Sequence, residues 1–195
     1  MFTISSNFIG HFKTGDNICH NLRILEVLYR QYEASGYTEK TLLCKPIIVT
    51  LISIIEACLH DFHMRVRHHT VERSVNLDRP IIQEIRNSDE DELGYYIASA
   101  RNHDLFDMNG RTDGKFFYER LDQLRRLRNR VHIQNIWASK PADESEAFTE
   151  TEKVLAEKVL EVVMKTLSGK HPRAPYPTGH VEDFELPWKE YFQMS

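Results

Sequence analysis

Four arginines and one histidine crowd the stretch Leu121-Asp122-Gln123-Leu124-Arg125-Arg126-Leu127-Arg128-Asn129-Arg130-Val131-His132, inside a regular apolar repeat. An imidazole with an ordinary pKa of roughly 6.5 exchanges a proton near neutrality. Neighbouring guanidiniums disfavour its cationic form and can grip phosphoryl oxygens in bidentate fashion. Such a set suits metal-free RNA cleavage, which needs a base for the 2′-hydroxyl and cations for charge developing on phosphorus. On a helix turning about 100° per residue, Arg125 and Arg128 fall within about 40° of His132, and Asn129 lies on the flank. Arg126 and Arg130 fall on the outward side. Arg125, Arg128 and His132 are therefore the catalytic candidates. Asn129, Arg126 and Arg130 are candidates for contacts to the rest of a bound substrate. The plainer reading is a solvated ridge paired with acids such as Glu119 and Asp122, beside a structural histidine.

The elements that must position these residues read as helices. Phe117, Leu121, Leu124, Leu127 and Val131 predict a helix from Lys115 to about Ile136. Before it, Asp16 can cap a helix that runs to about Ser35, with Gly36 as a left-handed stop. Thr41 to about His69 is the longest helix, and Pro46 is tolerable near its start. Its stripe of Ile47, Leu51, Ile54, Ile55, Cys58, Phe62 and Val66, widened by Ile48, Ile52 and Leu59, marks the middle of a bundle. Glu56 and Asp61 on such a helix need partners.

Val71 to Asn87 is less regular, and Pro80 reads as a break. Ser88 with Asp91 and Thr149 with Glu152 resemble capping boxes, opening helices to about Asn102 and to Leu167, the latter stopped by Gly169. Asn109-Gly110 signals a turn, and Lys140 to Ser145 a loop. Residues 1–15 read as an extended arm. Pro172, Pro175 and Pro177 predict an extended tail over 170–195, whose aromatic end from Phe184 to Phe192 docks on its own bundle or on a second subunit. The expected architecture is all-α: an antiparallel four- to five-helix bundle over 1–169 with an extended C-terminal tail.

Composition agrees with a globular helical protein, at 41% hydrophobic and 28% charged residues with only eight Gly. A formal net charge of −4 argues against binding nucleic acid with the whole surface, but charge is segregated, with bases at Arg65–Arg73 and Arg120–Arg130. Cys19, Cys44 and Cys58 are an odd number at no metal-ligand spacing, and Cys19 and Cys58 fall on apolar helix faces, so buried free thiols in a reducing compartment are expected. No signal peptide is evident, and the apolar run Ile47–Leu59, broken by Glu56, is too short to span a bilayer. The expectation is a cytoplasmic protein with no membrane association. Glu56, His60 and His63 share one helix face at metal-ligand spacing, but no matching Glu-x-x-His occurs elsewhere, so no metal or other cofactor is expected. His68-His69 with Arg65, Arg67 and Arg73 would either extend a phosphate-binding surface or solvate a helix end.

Leu127-Arg128-Asn129-Arg130-Val131-His132 on a late helix, with the long apolar helix carrying Ile54-Ile55-Glu56-Ala57-Cys58-Leu59, resembles the HEPN superfamily. The hallmark of that family is an Arg, four to six residues, then a His, with a polar residue commonly after the Arg. The likeness extends from about Asn17 to Leu167. Arg128-Asn129 supplies the arginine–polar pair but has only three residues between Arg128 and His132; Arg125 gives six, and Arg126 gives five but is followed by Leu127. The resemblance implies a metal-independent endoribonuclease of toxin–antitoxin, phage-defence or CRISPR type, or an inactive relative that binds a nucleotide, RNA or protein. It further implies a homodimer with a composite site, an antitoxin or nucleotidyltransferase partner, and an acidic residue that holds the motif arginine, for which Glu56 is the candidate. A purely structural dimerisation bundle is the remaining alternative.

Overall fold

The computed structural model describes residues 1–68, 76–108, 116–131, 143–173 and 181–192. Its axle is the long helix α2 (Tyr37–His68). Ile47, Ile48, Leu51, Ile52, Ile54, Ile55, Cys58 and Leu59 are all buried, as a helix apolar around most of its girth demands. Packed on it are α1 (Phe12–Ala34), α3 (Arg79–Asn87), α4 (Leu93–Asn102), α5 (Phe117–Arg128) and α7 (Glu150–Lys170), with a single turn, α6 (Glu144–Ala147), before α7. The protein is a helix bundle, as its apolar periodicity implied. By length and composition alone α2 passes as a membrane span, contrary to the reading of Ile47–Leu59 as too short, but here it is the core helix the others cover.

Several helix ends differ from the sequence reading, each for a local reason. α1 starts at Phe12, ahead of Asp16, because the buried Asp61 carboxylate of α2 accepts the Gly10 and His11 N–H groups at 2.6 and 2.9 Å. A cap supplied from another helix leaves no trace in the local sequence. Extended Ser35 (φ −89°, ψ 155°) ends α1, in place of a left-handed Gly36. Pro80 opens α3 instead of breaking the chain, because the first turn needs no proline N–H. α4 begins only at Leu93, with Glu92 at its N-cap; Ser88 instead accepts the Glu90 N–H at 3.1 Å. The Thr149 cap forms, its hydroxyl accepting the Glu152 N–H at 3.3 Å, while Glu152 takes a 2.9 Å bond from Gln123. α7 runs through Gly169 to Lys170. Asp143 caps α6 where a loop was expected.

The two chain ends meet. Strand β1 (Phe2–Ile4) pairs antiparallel with β2 (Phe184–Leu186) in the register Phe2↔Leu186, Thr3↔Glu185, Ile4↔Phe184. Phe184, Leu186 and Trp188 are buried, so the aromatic tail docks on its own bundle. Two buried α7 carboxylates hold it. Glu161 accepts the Tyr191 and Phe192 N–H groups at 3.0 and 2.8 Å, and Glu157 accepts the Tyr191 hydroxyl at 2.5 Å. Lys153 and Lys165 neutralise this pair at 3.0 and 2.8 Å.

Candidate functional site

α5 forms because Phe117, Leu121, Leu124 and Leu127 recur at three- and four-residue spacing and all four are buried. That stripe forces Asp122, Arg125, Arg126 and Arg128 to its flanks and outer side. The three arginines occupy the last turn, where the negative end of the helix dipole favours cations.

The helix ends sooner than predicted. Beyond Arg128 the chain tightens into a 3-10 turn, Asn129–Val131, so the wheel that joined the whole stretch stops applying. Val131, expected in the core, is 44% exposed, and Arg130, expected on the outward face, is 8% exposed. Arg130 therefore belongs to the interior, where its charge helps to lower the Asp143 pKa, after the Ser145 N–H and hydroxyl bonds. Asn129 is exposed. His132 lies outside the described residues.

The structure sorts the remaining arginines by their acids. Asp122 serves two of them: Arg125 donates from Nε at 2.8 Å, and Arg126 from Nε and Nη2 at 3.0 and 2.6 Å. Burial pushes the Asp122 carboxyl up, but the bonds from Arg126 and Arg125 outweigh it and hold the group below the usual carboxylate range. The Arg125 side chain lies against Gly94 at the start of α4, about where a Cβ on that residue would come into van der Waals contact. Arg126 remains 66% exposed.

Arg128 has a different partner. Its Nη2 lies 2.7 Å from Oε2 of Glu56 on α2, with side chains 40% and 26% exposed. The acid assigned to hold the arginine is thus in contact with Arg128, and Arg125, set beside it on the wheel, is held by Asp122 instead.

Glu56 heads a polar ledge on α2 whose partners Asp91 and Tyr96 the sequence reading did not name as such. One turn on is His60, whose Nε2 lies 3.9 Å from Oδ2 of Asp91. Asp91 accepts the Tyr96 hydroxyl at 2.8 Å and faces Arg67 at 3.6 Å. Burial and the Asp91 contact raise the Tyr96 pKa. The Asp122 pairs with Arg125 and Arg126 are those the plainer sequence reading named, at the three- and four-residue spacing where helix side chains meet. Asp91 could not be found in this way, since nothing in the local sequence ties it to His60.

His63 leaves this surface. It is buried under Tyr96, its ring centroid 4.5 Å away, and its Nδ1 bonds the Leu59 carbonyl at 2.7 Å. Burial pushes its pKa down to about 4. The shared face of Glu56, His60 and His63 is therefore divided among separate partners, and no three metal-ligating side chains gather among the described residues. Arg65 and Arg67 of the basic cluster at the end of α2 also turn inward, while His68 is exposed. Arg65 is buried and donates to the His171 carbonyl at 2.7 Å, Arg67 donates to the Glu90 carbonyl at 2.9 Å, and His69 and Arg73 lie outside the described residues. Cys44 and Cys58 are buried free thiols; Cys19, expected to be buried, is only partly so.

Chemically, the end of α5 offers three guanidiniums against two carboxylates, which leaves it net cationic. The arrangement can hold one phosphodiester beside a braced arginine. No known protein family, characterised protein or solved structure matches the chain.

Proposed function

We propose that this chain is a metal-independent endoribonuclease of HEPN type that acts on single-stranded RNA at the end of α5. The observation that carries the proposal is the 2.7 Å pairing of Arg128 with Glu56. Glu56 meets one edge of the guanidinium at Nη2, and the exposed remainder is available to a phosphoryl oxygen. Fixed donors aimed at developing charge stabilise a phosphorane without reorganisation. His132, next along the chain, supplies acid–base chemistry, and pairing of two copies brings a second imidazole. In this reading the protein works in the cytoplasm as a toxin or phage-defence component, alongside an antitoxin or nucleotidyltransferase partner.

A second reading rests on a separate observation: Asp122 already occupies Arg125 and Arg126. That favours a module that binds RNA or a nucleotide without turning it over. One experiment separates the two. Single-stranded RNA is incubated with wild type, Arg128→Ala and His132→Ala in excess chelator. The nuclease reading expects cleavage by wild type and a loss on the order of 100-fold or more in each variant. Equal rates in all three overturn it, and binding without cleavage by wild type selects the module.

A further inference from the structure

His60 lies one turn beyond Glu56 on α2, and the reaction proposed above does not use it. Its side chain is 43% exposed, and its ring meets the edge of Tyr96 at 5.9 Å between centroids. The 3.9 Å from Nε2 to Asp91 is too long for a hydrogen bond. It is nevertheless a defined approach, because Asp91 is braced. The Tyr96 hydroxyl and the Arg67 guanidinium both engage its Oδ1, and Arg67 is anchored by the Glu90 and Ile85 carbonyls at 2.9 and 3.4 Å. Among the described residues, Glu56 on the preceding turn and His63 behind are the other titratable groups near the imidazole. Among the described residues Nδ1 has no partner. A carboxylate behind one ring nitrogen, with the other open, is the arrangement in which an imidazole accepts a proton and its cation is then stabilised.

We propose that His60 is the general base of the same site, with single-stranded RNA as its substrate and Asp91 as its positioning residue; this rests on the nuclease reading. Residues four apart on a helix have Cβ atoms roughly 6 Å apart. A phosphate on Arg128, beside Glu56, therefore places the adjoining ribose within reach of His60. Nδ1 takes the 2′-hydroxyl proton as the 2′-oxygen bonds to phosphorus. The bond from phosphorus to the 5′-oxygen breaks, that oxygen takes a proton from water, and the hydroxide left behind takes the proton held on Nδ1. The products are a 2′,3′-cyclic phosphate and a 5′-hydroxyl, with no metal or co-reactant consumed.

The test compares wild type, His60→Gln and Asp91→Asn in pH profiles of RNA cleavage with excess chelator. A noncleavable 2′-deoxy oligonucleotide is also titrated while the His60 imidazole is followed by NMR. His60→Gln is expected to lower kcat about 100-fold or more with KM within twofold, and to lose the acid limb of the profile. Asp91→Asn moves that limb without abolishing it. The oligonucleotide shifts the His60 resonance in wild type and not in Arg128→Ala. If wild type cleaves and His60→Gln keeps its kcat and acid limb, the assignment to His60 is wrong and the nuclease reading stands. If wild type neither cleaves RNA nor shifts His60 on titration, both are wrong.

Discussion

Arg128 and Glu56 are partly exposed, so their ion pair contributes on the order of 1 kcal/mol or less to stability. Its value is geometric, which is why the nuclease test above reads activity. His63, three residues beyond His60, is the opposite case: buried, neutral and matched to the fold. Its folded-state pKa is about 4 against roughly 6.5 when unfolded. The unfolded chain therefore binds more protons between those values, and stability is full above about pH 6.5 and falls as pH drops toward 4. The amount withdrawn is on the order of 3 kcal/mol. Thermal unfolding from pH 4 to 7.5 is expected to show a shallower acid limb in His63→Leu than in wild type; parallel limbs would contradict the assignment. At this scale the sequence was half legible. That Glu56 needs a partner followed from its place on a core helix; that the partner is an arginine of α5 came only from the family resemblance. Arg130 was misplaced because a wheel cannot foresee where an α-helix tightens into a 3-10 turn.

Helices are where the sequence spoke most clearly. The stripes of α1, α2, α5 and α7 follow from three- and four-residue spacing, and burial of a stripe is the dominant favourable contribution. Ends were less legible because the groups that set them come from elsewhere, as Asp61 does for α1. Gly15 shows the same dependence. In the interior of α1 it looks like a weakness, since alanine there is favoured by about 1 kcal/mol on propensity. A Cβ at that position, however, would stand 2.5 Å from Cγ1 and 2.7 Å from Cγ2 of Val181, in the segment that leads into β2. Overpacking of this kind costs roughly 1–3 kcal/mol. Gly15→Ala is therefore expected to lower Tm by a few degrees. A rise in Tm would show that the tail yields freely.

For the molecule as a whole, the charge balance limits how RNA is held. The net charge is −4, and the end of α5 carries few unneutralised cations. Counterion release should therefore correspond to about one or two phosphates, giving a slope of log affinity against log salt of roughly −0.7 to −1.4. Filter binding of single-stranded RNA between 50 and 300 mM salt measures it, and a slope steeper than about −3 would require a broad basic surface. The bundle was legible from composition and periodicity. The pairing of the two ends was not, because strands of three residues carry little alternation and nothing local links Phe2 to Leu186.

That pairing sets an order of assembly during synthesis. The N-terminal strand emerges early but cannot complete its ladder until residues 184–186 have been translated. α2, the most apolar helix, likewise waits for α7 to cover it. A nascent chain thus keeps the α7-facing side of this helix uncovered until residues 150–170 have been made, a state that favours aggregation or chaperone capture. A nonsense mutation anywhere before α7 would leave that state permanent.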